Sequence, residues 1–518
     1  MLALLGVIAG CGGEEGETPS PIGELTPVPR LEATEAPASP TPTPILEQPS
    51  PTAQRVAEGR HYVDLLYRLT RDRATDPGNS DALTALVKIS ESGDRVYIAP
   101  LTDVLQVPLT RDELRFNFEQ VLPVMQHLSG QGFEYDGKAW VEWLAQQPDL
   151  RLPEGYFQWK VDLLSDIDPA FRGYFTTGGG DELMDPDDID LDLRFLVWGG
   201  VLQDDGSARS IPSLVDPKMV GAGYATYLKD SDRVFGVAIN GDARAYPLRI
   251  LNWHEMANDV VGGVPVALAY CTLCGSGILY DTDLDGDKYV FRSSGLLYFS
   301  NKLMYDLTTG GLWNQFTGEP VTGALAGSGV RLNVRPVTLT TWGEWLAAHP
   351  DTLALDVETG FLRNYSPEGE PGAAYADYFG SPDLWFPVGD YDDRLLPKDV
   401  VYGIEIDGET KAYPVETVGM EGLINDEVGG RRVVLVGNEN TNAVEVFERE
   451  GVKFVESLTE EGGATLVDED GGRWQLQDEK LTALDGSGVE LARIAGRTSF
   501  WFAWSVFFPE TELYGDEG

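Results

Sequence analysis

Cysteine and histidine are scarce in this chain, with three Cys and four His among 518 residues. These side chains most often ligate soft metals or act as nucleophile and base, so such chemistry is confined to a few positions. Basic residues are few as well: 38 Lys and Arg stand against 84 Asp and Glu, a net charge of −46. So acidic a surface repels phosphate backbones, which argues against nucleic acid as a partner. Long apolar runs are missing too. Past the first residues nothing approaches the ~18 consecutive apolar residues of a membrane helix. No Gly-x-Ser-x-Gly elbow, Walker loop or dinucleotide fingerprint occurs. What remains is ample material for cores, with 12 Trp, 21 Tyr and 20 Phe, in a length that suggests about three domains.

The chain opens on an apolar run, Leu2 to Ile8, with no Lys or Arg before it, followed by Ala9-Gly10-Cys11. Small residues at that place suit a signal-peptide cleavage site. Ile8-Ala9-Gly10-Cys11 resembles a bacterial lipobox. The resemblance implies that residues 1–10 are removed, that Cys11 is lipidated, and that the protein is held in the cell envelope, outside the cytoplasm. Residues 11–58 are rich in Pro, Thr, Ser, Glu and Gly. They lack the apolar surface needed to fold and are expected to form a disordered tether reaching roughly 40 Å as a coil. Over 59–210 the spacing of Leu83, Leu86 and Val87, and of Trp140, Trp143 and Leu144, predicts a helical domain.

Residues 234–268 and 401–435 align without a gap, 167 positions apart. They share Gly-x-x-x-x-Gly, Ala-Tyr-Pro, Asn-Asp and Gly-Gly. Downstream, Gly310-Gly311-x-Trp313 answers Gly471-Gly472-x-Trp474, and Trp342-x-x-Trp345 answers Trp501-x-x-Trp504. Such agreement marks an internal duplication. Its first copy is expected over 211–356, its second over 400–518, with 357–399 as linker. Asn240-Gly241, Asp407-Gly408 and Asp285-Gly286 signal hairpins. Leu248 to Val261 has helical spacing, and Val264 to Tyr270 is a buried strand. The expected fold is α+β, mainly antiparallel, with one packed helix per copy. Asp281-x-Asp283-x-Asp285-Gly286 opens like a calcium loop, but Arg292 stands where its last ligand should be. The recurring Trp pairs, found also at Trp140 and Trp143, point to packing.

Two copies in one chain permit a subtraction. Shared positions such as Tyr246-Pro247 and Asn258-Asp259 belong to the scaffold, the latter as capping or turn residues. Reactive groups kept in one copy are candidates for function. His254 is matched by Glu421, Cys271 by Asn438 and Cys274 by Thr441. Around these residues Asn252-Trp253-His254-Glu255, Tyr270-Cys271-Thr272-Leu273-Cys274-Gly275, Ser294-Gly295-Leu296-Leu297-Tyr298 and Met304-Tyr305-Asp306 resemble domain-of-unknown-function family 3179. Leu312-Trp313-x-Gln315-x-Thr317-Gly318 extends the likeness, which runs from about Ile211 to the C-terminus. It implies that the His and the Cys-x-x-Cys belong to the family pattern, and it names no reaction. Thr272 stands where Pro is expected.

Two thiolates at this spacing can chelate one soft ion, with His254 as third ligand and Trp253 and Glu255 orienting the imidazole. Copper and zinc both suit such donors. The alternative is redox: outside the cytoplasm a Cys-x-x-Cys pair readily forms a disulfide. A plain stabilising disulfide is weakly motivated, because so short a loop gains little from closure. A cysteine hydrolase, with Cys271 as nucleophile and His254 as base, would leave the second Cys without a task. A non-enzymatic binding or scaffold module carrying a residual site completes the range.

Overall fold

Helices come first, and each has a local cause. In α1 (Asn79–Ser92) the buried residues Ala82, Leu86 and Ile89 recur at helical spacing. α2 (Ile98–Gln106), α3 (Arg115–Ser129), α4 (Gly137–Ala145) and α5 (Tyr156–Ile167) follow. Asp136 caps α4 by accepting the Ala139 amide at 3.0 Å. Inside, Asp103 accepts from Lys160 and from the Tyr156 hydroxyl, both at 2.6 Å. Trp140 and Trp159 share this core with Leu296, Leu303 and Leu312 from farther along the chain. The computed structural model describes residues 60, 62–65, 79–106, 115–177, 180–207, 209–460 and 463–516. The expected signal peptide, Cys11 and the tether lie outside them. Among the described residues no helix is long and apolar enough to cross a membrane.

From Arg233 the chain is mixed α/β and mostly antiparallel. β1 (Arg233–Ile239) turns at Asn240-Gly241 into β2 (Asp242–Pro247), with both turn residues at positive φ as a two-residue type I′ hairpin requires. α6 (Leu248–His254) leads to β3 (Met256–Val261), β4 (Val264–Cys271) and β5 (Ser276–Asp281). β6 (Phe291–Tyr298) and β7 (Asn301–Asp306) pair in a second sheet. β8 (Thr338–Thr341) returns beside β1 and runs into α7 (Trp342–Ala348), and β9 (Leu353–Leu355) lies parallel to β2.

The same order recurs from Val400. β10 (Val400–Ile406), β11 (Glu409–Pro414), α8 (Val415–Glu421), β12 (Leu423–Val428), β13 (Arg431–Asn438) and β14 (Ala443–Glu448) follow one another. β15 (Phe454–Glu460), β16 (Gly463–Asp468), β17 (Arg497–Phe500), α9 (Trp501–Phe507) and β18 (Glu512–Leu513) complete the run. Shared residues make matching contacts. The Tyr246 hydroxyl donates to Asp259 at 2.6 Å, and that of Tyr413 to Asp426 at 2.8 Å. A Cβ on Gly236 would lie 2.2 Å from the Trp345 ring, and one on Gly403 would lie 2.0 Å from Trp504. Trp345 and Trp504 each donate their indole N–H to a threonine, Thr352 and Thr511, at 2.9 Å. The Trp pairs therefore pack, as their recurrence suggested. One nine-stranded sheet contains the run β3-β4-β5-β17-β10-β11-β18, so β17 joins the two runs.

Two local expectations are corrected. The helix beginning at Leu248 stops at His254, because Glu255 takes a left-handed conformation, and Met256 to Val261 is strand. Asn258 and Asp259 are accordingly neither caps nor turn residues. From β3, Asn258 holds Phe291 by both its amide and its carbonyl, as Asn425 holds Phe454.

Candidate functional site

β4 carries Cys271 to its exit, where the chain turns tightly. The Cys274 amide donates to the Cys271 carbonyl at 3.2 Å, and Gly275 takes φ 59 before β5 begins. Cys271 and Cys274 form a disulfide with their Cα atoms 5.3 Å apart. Both are buried. The closing strand of the second run covers them: the Phe500 amide donates to the Cys274 carbonyl at 2.8 Å, and its ring lies against Gly275. Trp501, Phe502 and Trp504 share the surrounding core.

Glu255 sits at the C-terminal end of α6 with φ 54. Its amide closes the helix on Leu251 at 2.7 Å, and its carbonyl accepts from Tyr270 at 2.9 Å. Gly422 does the same for α8, with φ 69 and bonds to Val418 and from Gly437, both 2.9 Å. Glycine adopts this backbone freely, whereas a side chain there costs ~1–3 kcal/mol. The first run accepts that strain and places a buried carboxyl beside the cysteine loop. The Tyr375 hydroxyl donates to it at 3.3 Å. Burial pushes the Glu255 carboxyl up, opposed by the Lys302 ammonium and by the Thr272 and Tyr375 hydroxyls.

Lys302, on β7, is also buried. Its ammonium donates to the Glu255 carbonyl at 2.6 Å and the Tyr270 carbonyl at 2.9 Å, and the Glu255 carboxylate lies 4.0 Å away. Burial lowers its pKa to about 8, against the pull of Glu255 and Asp204. The Phe299-Ser300 turn before β7 has both residues at positive φ, 50 and 61. The Ser300 carbonyl faces the Cys274 sulfur at 3.7 Å. Backbone strain thus gathers on both sides of the cysteine loop.

His254 is fully buried on the neighbouring face. Its Nδ1 lies 2.6 Å from the Pro212 carbonyl, and its Nε2 lies 2.6 Å from the Tyr365 hydroxyl. A carbonyl only accepts, so Nδ1 carries the proton and Nε2 accepts from Tyr365. Burial holds the ring near pKa 4, with Arg363 lowering it further and the Pro212 bond opposing. Cys271 and Cys274 are brought together, while both nitrogens of His254 are engaged elsewhere. Among the described residues no group of three His, Cys, Asp or Glu side chains is gathered to hold a metal ion. Trp253 donates its indole N–H to the Asn364 carbonyl at 2.7 Å, and the Glu255 carboxylate faces Lys302 and Tyr375. The imidazole is oriented instead by Pro212 and Tyr365.

The family described as "Protein of unknown function (DUF3179)" matches residues 208–511. The chain belongs to that family. No curated protein and no solved structure matches it. The DUF3179 region takes in the cysteine loop, Glu255, Lys302 and the covering Phe500. It also takes in 357–399, expected to be a linker, whose Tyr365, Tyr375 and Tyr378 all bond to this neighbourhood; the Tyr378 hydroxyl donates to the Leu273 carbonyl at 2.7 Å.

Sequence reasoning did not find Lys302. The signal was present: Trp313 donates to Asp306 and Trp474 to Asp468, and four residues before each Asp stand Lys302 and Ala464. Five residues fewer between the aligned segment and this strand, and one fewer in the next turn, hide the match from a gap-free alignment. Tyr375 and Tyr378 had no counterpart to compare.

Proposed function

We propose that this protein is a thiol–disulfide redox protein of the cell envelope, anchored through Cys11. We further propose that its C-terminal half is a tandem duplication whose first copy alone keeps the redox centre. One observation carries the redox reading. A buried disulfide is flanked by a buried carboxyl on strained backbone and a buried ammonium, in the copy that has the cysteines and not in its counterpart. A cross-link serving stability alone needs neither, since burying charge costs several kcal/mol per ion. Copper or zinc binding by His254, Cys271 and Cys274 takes second place. It would require the disulfide to open and His254 to leave Pro212 or Tyr365.

The test is equilibration of folded protein with mixtures of reduced and oxidised dithiothreitol, followed by trapping of free thiols with a mass-tagged alkylating agent. A redox centre titrates reversibly as a two-electron couple while the near-ultraviolet circular dichroism stays native. Reduction only after unfolding in urea would make the bond a plain cross-link. Mass spectrometry of the membrane fraction checks the anchor: a diacylated Cys11 is expected, and an intact Met1 in soluble protein would reject it.

A further inference from the structure

We infer that Lys302 is the residue that sets the reducibility of the Cys271–Cys274 disulfide, its ammonium stabilising the sulfur anion released when the bond opens. This rests on the redox reading and adds to it a residue and a direction. An external dithiol is the co-reactant. One of its sulfurs, as thiolate, attacks a sulfur of the pair; the Cys271–Cys274 bond breaks, and its electron pair leaves on the other sulfur. The second sulfur of the reductant, as thiolate, then attacks its first sulfur in the mixed disulfide; that bond breaks and its electron pair leaves on the protein sulfur. The reductant departs as a disulfide, and two electrons stay on the cysteine pair. Each step puts negative charge into a site closed to water, where a nearby cation counts for more than in solution.

Lys302 is the cation placed for this. Its Nζ is bonded to the carbonyl of Tyr270, the residue before Cys271. The sulfur of Cys274 faces the carbonyl of Ser300, two residues before Lys302. Two carbonyls and a carboxylate at 4.0 Å hold the ammonium without a close ion pair, so its charge is not fully compensated in the disulfide state. The buried Ser300 hydroxyl and Asn301 amide oxygen beside it have no hydrogen-bond partner. On the matching strand of the second copy, which has no cysteines, Ala464 replaces the lysine.

The test compares the equilibrium constant for reduction by dithiothreitol at pH 7 in wild type, Lys302→Gln and Lys302→Arg. Stabilising the thiolate favours the reduced state. Lys302→Gln should therefore resist reduction about tenfold more, a fall of about 30 mV, while Lys302→Arg stays within about threefold of wild type. Equal constants for wild type and Lys302→Gln overturn the inference, as does an equal loss in Lys302→Arg, which would mean packing and not charge. Should Lys302→Gln fail to fold, Lys302→Met combined with Glu255→Gln leaves no lone buried charge. Measured against Glu255→Gln alone, it must show the same fall or the inference fails. If the wild-type disulfide itself cannot be reduced in the folded protein, the redox reading falls and this inference with it. A reducible wild type with an indifferent Lys302→Gln rejects the inference alone.

Discussion

His254 is a neutral imidazole fixed between a carbonyl and a hydroxyl, and its burial has a consequence in acid. Its pKa of about 4 lies below the ordinary 6.5, so the unfolded chain takes up a proton that the folded chain refuses. Above pH 6.5 neither state is protonated and nothing is lost. Between pH 6.5 and about 4 the unfolded state gains, and folding should weaken by ~3 kcal/mol from this residue. Urea melts at pH 7 and pH 4.5 check it: His254→Gln should lose stability at pH 7 but show a smaller further loss in acid than wild type. At this scale the sequence disclosed the cysteine pair, because replacement by Asn438 and Thr441 on a shared frame is visible without coordinates. It also grouped His254 with the cysteines as a metal ligand, whereas in the structure both ring nitrogens have other partners. Imidazole is a common ligand, but here the chain supplies Pro212 and Tyr365 as partners from positions no spacing rule connects.

Among the elements, the short helix α6 shows what a pattern can hide. Apolar residues at 250, 253, 257 and 261 continue a helical stripe, and nothing in that segment marks an end after His254. The stop signal stands in the matching second run as Gly422. In the first run Glu255 takes a left-handed conformation at the same place, so the boundary is concealed by the residue that the redox reading puts to use. The segment 357–399 was obscure for another reason. It has neither strand alternation nor helical period, yet its tyrosines seal the cysteine loop. Tyr378 bonds the Leu273 carbonyl, and Lys398 braces it by donating to its carbonyl at 2.7 Å and lying over its ring. Tyr378→Phe removes the hydroxyl and loosens the seal without altering charge near the sulfurs. Reduction by a small dithiol should then be several-fold faster at an unchanged equilibrium constant, as stopped quenching with an alkylating agent would show.

For the whole molecule, the loop that holds the disulfide lies where the two runs of strands meet. All of β17 lies along β10, and Thr498 also pairs on its other side with Gly277 of β5. Gly275 combines φ 59 with a Cβ position 2.9 Å from the Phe500 ring. Gly275→Ala should therefore incur both backbone strain and a clash, ~2–3 kcal/mol together. A lower melting temperature and easier proteolysis near Arg497 are the expected readouts, and an unchanged melt would show that the fold does not depend on this contact. The matching packing of Gly236 on Trp345 and of Gly403 on Trp504 was legible because in each pair the ring leaves no room for a Cβ. The meeting of the two runs was not, since β17 reaches a strand more than two hundred positions earlier in the chain.

That reach has a consequence for the order in which the protein is made. The cysteines precede by more than two hundred positions the strand and helix that cover them, Arg497–Phe500 and Trp501–Phe507. A chain growing from its N-terminus carries an uncovered Cys-x-x-Cys until more than two hundred further residues have been added. During that interval any oxidant or thiol in the surroundings can act on the pair, and afterwards access is controlled by the finished fold.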